Sequence, residues 1–182
     1  MTASAPTLTA APRPFAQAVS LRRVAASSAL IAATTLTVTM AYLAIAHLAG
    51  GMRVGDGNHS AIVDGLHVVT ALALLPIPFA LHRLLTSVSP RRSAAGVALA
   101  IDAIAFGAIL HALFAVGVIT FDAASPLVLI GYLAFAGWLW IVGSLGSTSG
   151  SMPNGRRMAV VGATMVGLPL WLVWVSRHLD EA

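Results

Sequence analysis

Cysteine and lysine are both missing from this chain, and charge of either sign is scarce. Charged residues make up 9% of the 182 positions, where a soluble globular domain carries roughly 25%. Each shortage excludes something. Without cysteine there is no disulfide, no thiolate metal site and no thiol redox chemistry. The net charge of +4 comes from arginines at the ends of apolar runs. In those places arginine orients membrane helices, and nucleic acid is not an expected partner. There is no His-Glu-x-x-His pair, no phosphate loop and no run of paired acidic residues to hold magnesium. Ser144 has no base near it in sequence. An enzyme is therefore not the first expectation.

What the chain has in quantity is apolar surface. It is 58% hydrophobic, with a mean hydropathy of +0.90. The fold class that follows is all-α, an integral membrane bundle. Five runs approach the roughly 20 residues that cross a bilayer, at 24–49, 61–81, 94–119, 127–145 and 158–175. Residues 1–20 are rich in Ala, Pro, Ser and Thr and read as a disordered cytoplasmic tail. Residues 21–182 then form a single transmembrane domain. A signal peptide is the rival reading of the start, with Arg22 and Arg23 before the run and Ala44-Ile45-Ala46 as a cleavage site. A signal core spans only about 7–15 residues, so an uncleaved first helix is preferred. Thr34, Thr35, Thr37 and Thr39 do not oppose insertion, because their hydroxyls can bond back to helix carbonyls. Pro76 and Pro78 predict a kink or break in the second run.

Arginine counting sets the orientation. With the N-terminus cytoplasmic, Arg13, Arg22, Arg23, Arg83, Arg91, Arg92, Arg156 and Arg157 lie inside, and Arg53 and Arg177 lie outside. Five crossings put the C-terminus outside. Trp138, Trp140, Trp171 and Trp174, near run ends, read as interfacial anchors. The helix glycines, including Gly96, Gly107, Gly117, Gly131, Gly137, Gly143, Gly162 and Gly167, read as packing positions.

Polar groups inside apolar runs are costly and mark candidate sites. His47, Asp64, His67 and His111 fall in the outer half of three successive helices. Asp64 and His67, three apart, share one face of the second. His67 and His111 are nearly equidistant from the turn at 87–92 and so reach nearly the same height. Imidazole with carboxylate suits zinc or another divalent metal. Alternatively, His67 and His111 clamp a haem iron axially, or each histidine only satisfies a local hydrogen bond. Asp102 lies on the opposite face from His111 and too deep to reach the headgroups. It reads as an ion- or proton-binding carboxylate packed against helix two, with His82 or Arg83 within reach, or as a structural hydrogen bond.

Three functions follow. The first is a non-enzymatic accessory subunit or small helical module, with the bilayer and other membrane subunits as partners. The second is a small transporter or permeation unit lined by Asp102 and the Pro-broken helix two. The third is a membrane metal or haem protein using His47, His67 and His111. The general pattern is that of small bacterial multi-pass proteins, and the cytoplasmic membrane is the expected location.

Overall fold

Backbone polar groups in hydrocarbon must be satisfied within their own segment, which leaves helices as the simplest spanning structure for these runs. In the computed structural model, residues 14–49, 57–164 and 166–181 are described. Their regular structure is entirely helical: α1 (Pro14–Leu48), α2 (Gly57–Leu74), α3 (Pro76–Leu85), α4 (Pro90–Ala115), α5 (Phe121–Ser149), α6 (Gly155–Gly162) and α7 (Leu168–Glu181). Four spans are long and apolar enough to cross a membrane: Ser20–Leu48, Ala61–Leu85, Pro90–Ala115 and Pro126–Ser149.

Helix α1 begins at Pro14, so residues 14–20, expected in the tail, are helical. Residues 1–13 and the loop positions Arg53 and Asp56 lie outside the described residues. The expected break in the second run falls at Leu75, between α2 and α3. Pro76 has no N–H to give the Leu72 carbonyl, and the Leu75 N–H takes that carbonyl instead at 3.3 Å. Leu75 keeps right-handed helical dihedrals (φ −54°, ψ −40°), so the span continues through the bend. Helix α4 stops at Gly117, whose φ of 71° suits a residue without Cβ. Helix α5 starts at Phe121, ahead of the expected loop, and carries Pro126 inside it.

The fifth run departs most from expectation. It is two helices, α6 and α7, with residues 163–167 between them. Gly162 explains part of the break: a Cβ there would lie 2.7 Å from Cγ of Trp171, so the chain turns tightly around that indole. Pro169 cannot donate into a preceding turn and is tolerated in the first turn of a new helix. The Tyr132 hydroxyl donates to the Ala163 carbonyl at 2.8 Å, answering an acceptor that the break exposes.

The helices form a ring in which α1 packs on α2 and α7, α4 on α2 and α5, and α6 on α5 and α7. Ala25, Ala29, Ala32 and Ala33 put a small-residue stripe of α1 into the core. Facing it are Ile77, Leu81 and Leu85 of α3, Leu139 and Val142 of α5, and Leu172, Val175 and Leu179 of α7. This main core lies toward the end of the bundle that carries Arg22, Arg23, Arg91 and Arg92. A much smaller cluster of Leu110, Phe114 and Ala124 serves the other end.

Two tryptophans read as interfacial anchors are core residues. Trp138 and Trp171 are fully buried and meet edge to face, with centroids 5.6 Å apart. Glycines create their room, with Gly96 bordering Trp138 and Gly162 bordering Trp171. Trp140, by contrast, is 53% exposed. The tightest helix contact is between α5 and α6, where a Cβ on Gly155 would lie 2.6 Å from the Gly143 carbonyl oxygen and one on Gly143 would lie 2.7 Å from Ala159 Cβ. Gly107 has nothing within 4 Å of its would-be Cβ.

Substituting these two glycines gives opposite expectations. Gly143→Ala forces α5 and α6 apart and lowers stability by about 1–3 kcal/mol. Gly107→Ala costs nothing and gains up to about 1 kcal/mol of helix propensity. Thermal unfolding in detergent checks the pair, and equal behaviour of the two variants would refute the close contact.

Candidate metal centre

Helices α2 and α4 are antiparallel neighbours joined through α3 and a short turn, so residues equally far from that turn meet. The end of this pairing nearest the turn is fixed by His82, whose Nδ1 lies 2.8 Å from Ser93 Oγ, while Ser93 O–H donates to the His82 carbonyl at 3.3 Å. His82 is thus engaged with the start of α4 and does not reach toward Asp102. Farther along, Thr35 of α1 and Thr70 of α2 are joined through their hydroxyls at 2.8 Å. Each of these hydroxyls also lies within bonding distance of a carbonyl of its own helix, so one donates across the interface while the other donates back, and Thr34, Thr37 and Thr39 donate to carbonyls of α1.

One and two turns beyond Thr70 stand His67 and Asp64, and opposite them His111. The three offer ligand atoms that all lie within 4.8 Å of one another. Asp64 is buried, and the two histidines are half-buried. Nδ1 of His111 lies 2.8 Å from Asp64 Oδ1. Nδ1 of His67 lies 2.8 Å from the Val63 carbonyl oxygen. A carbonyl or carboxylate oxygen only accepts, so Nδ1 carries the proton on both rings. On a neutral imidazole with that tautomer the lone pair is on Nε2. A carboxylate or carbonyl on one nitrogen, with the other free, is how metal-ligating histidines are oriented. The rings are stacked, with centroids 4.3 Å apart and planes inclined by 13°, and Phe114 presses edge-on against His111.

Of the residues singled out in the sequence, Asp64, His67 and His111 come together. His47 does not: it is exposed at the end of α1 and outside the cluster. Asp102 is also elsewhere. It is exposed, not buried against the second span, and borders a groove between α4 and α5. A haem clamp fails on geometry, because axial imidazoles stand end-on at opposite faces of the macrocycle, whereas these rings lie face to face on one side. A metal ion needs less. Bonds of about 2.0–2.1 Å require donors a little over 3 Å apart, a side-chain-scale contraction from the present arrangement.

The orienting role of Asp64 toward His111 was not visible in the sequence; only its three-residue spacing from His67 was. The Tyr132 bond to Ala163 and the His82–Ser93 bond gave no sequence signal at all. Comparison with protein-family models, with curated proteins and with solved structures finds no match to this chain.

The stacked geometry makes a spectroscopic prediction. Purified protein supplied with haem shows no bis-imidazole Soret signature that depends on His67 and His111. A Soret band lost in both His67→Ala and His111→Ala would reverse the exclusion of a haem clamp.

Proposed function

We propose that this chain is a helical membrane protein that binds a divalent transition-metal ion through His67 and His111, with Asp64 as third ligand or as the orienter of His111. The observation that carries this reading is the gathering of His67, His111 and Asp64, each ring with Nδ1 at 2.8 Å from an oxygen. One ligand atom from each ring and one from Asp64 all lie within 4.8 Å of one another. Nitrogen with carboxylate oxygen suits zinc first and also other late divalent ions. With at most three protein ligands, the ion keeps a position for water or a passing ligand, unlike a closed structural site. The reading favours a non-enzymatic metal-handling module over catalysis, in keeping with the helical accessory role expected from composition.

Orientation belongs to the same proposal. The N-terminus is cytoplasmic, so the metal site sits toward the outer surface, with Asp64 just inside the start of its span. The α6–α7 unit enters from the cytoplasmic side and returns to it. Pro169, Leu170 and Val173 of α7 lie beside Ala33, Thr37 and Val38, near the middle of α1. Val175 and Leu179 join the buried cluster that holds Ala25 and Ala29, while Ala41, Ala44 and Ile45 of α1 stay exposed. That path adds Arg177 to the inner side and leaves only Arg53 outside, which strengthens the charge asymmetry.

Two measurements test these statements. Metal-depleted protein takes up about one zinc or cobalt ion per chain, and bound cobalt shows the visible bands of a low-coordinate site. His67→Ala and His111→Ala abolish uptake, and Asp64→Asn weakens it by about 10–100-fold. Uptake weakens with acidification because the proton competes for the same Nε2 lone pair. Uptake unchanged in all three variants would refute the site. A reporter fused after Ala182 is expected to be active inside. An outside signal would instead establish a complete fifth crossing.

A further inference from the structure

Asp102 lies at the midpoint of the 26-residue α4. At about 1.5 Å per residue its carboxyl is roughly 18 Å from either end of the helix, far beyond what an Asp side chain spans. It is nevertheless exposed, on a face of α4 that no helix among the described residues covers. A carboxylate in that place is expensive unless a partner answers it. Around it, Ala105, Phe106 and Ile109 of α4 and Ile130, Gly131 and Ala134 of α5 line a shallow groove of about 380 Å³. Small residues in the groove floor let another helix approach closely.

We infer that this groove docks a transmembrane helix of a different membrane protein, one that presents an arginine or lysine at mid-membrane to Asp102. Charge complementarity selects this occupant over a second copy. The chain has no lysine, and its arginines within spans, Arg22, Arg23, Arg83, Arg91 and Arg92, all lie within a few residues of a span end. A symmetric pair of copies would therefore bring Asp102 against Asp102, with no cation at that depth. A basic side chain on a foreign helix forms the ion pair and is itself relieved of an equal penalty. The inference is independent of the metal site, which lies on the α2–α4 interface.

The test uses full-length protein in phosphatidylcholine–phosphatidylglycerol vesicles. A single dye is attached through Ser149→Cys, since the chain has no cysteine of its own. The probes are synthetic Leu/Ala transmembrane peptides with Arg, Leu or Asp at the centre, read by energy transfer. The Arg peptide is expected to bind about tenfold more tightly than the Leu peptide. That preference disappears in Asp102→Asn and in Asp102→Leu. Ala105→Trp, which fills the groove but keeps the carboxylate, weakens Arg-peptide binding, whereas Leu170→Trp on α7 does not. Thermal unfolding in detergent identifies any variant that fails to fold, and Ala105→Trp keeps the test decisive if both Asp102 variants do. Equal binding of the Arg and Leu peptides overturns the inference, as does an Arg preference that survives Asp102→Asn. Tighter binding of the Asp peptide, or energy transfer between full-length chains that Asp102→Asn removes, overturns it in favour of self-association.

Discussion

A polar group placed in hydrocarbon has to be answered from inside the bundle, because no water is present to answer it. The internal bonding of this protein follows that constraint. Threonines of α1 turn their hydroxyls onto their own helix. His82 and Ser93 satisfy each other at the α3–α4 turn. Tyr132 covers the Ala163 carbonyl where α6 gives way to α7. His67 and His111 obey the same rule, each with Nδ1 set against an oxygen, which turns the Nε2 side of the ring away from that bond. A group of side chains that could hold a metal ion is thus brought together without a sequence motif.

Among the described residues, Trp138 and Asp102 stand apart from the rule. The indole N–H of Trp138 is buried without a hydrogen-bond partner. It is held by aromatic packing against Phe135 and Trp171, which compensates for a donor that costs on the order of 1–3 kcal/mol to leave unmet. Asp102 is different because it is exposed, with none of the described residues packed over it. One exception is closed by the fold; the other points out of it.

The sequence made the existence of the spans legible, since runs near bilayer length need no facing information. The meeting of His67 with His111 was also legible, because antiparallel neighbours at equal distance from a turn reach equal height. Facing was not. Helix α4 is apolar almost all round, so no polar stripe marks which side is covered, and Asp102 was assigned to the wrong neighbour. The tryptophans failed for a related reason. A tryptophan near a run end looks like an anchor until a glycine on another helix is known to make room for it. The α6–α7 break was hidden because hydropathy reads composition, while Gly162 and Pro169 act through backbone geometry.

The bend at Leu75 has a mechanical consequence. Its cost is small, because the Leu75 N–H takes the carbonyl that Pro76 leaves. On one side, α3 is locked into the main core through Ile77, Leu81 and Leu85. On the other, α2 carries Asp64 and His67 into the lightly packed end of the bundle. Eight residues separate His67 from the bend, an arm of about 12 Å. A tilt of about 10° over that arm carries the ring about 2 Å, comparable to the contraction that separates stacked imidazoles from a closed ligand set. The proline pair thus marks the place where a small rotation of α2 would change the spacing of His67 and Asp64 from His111.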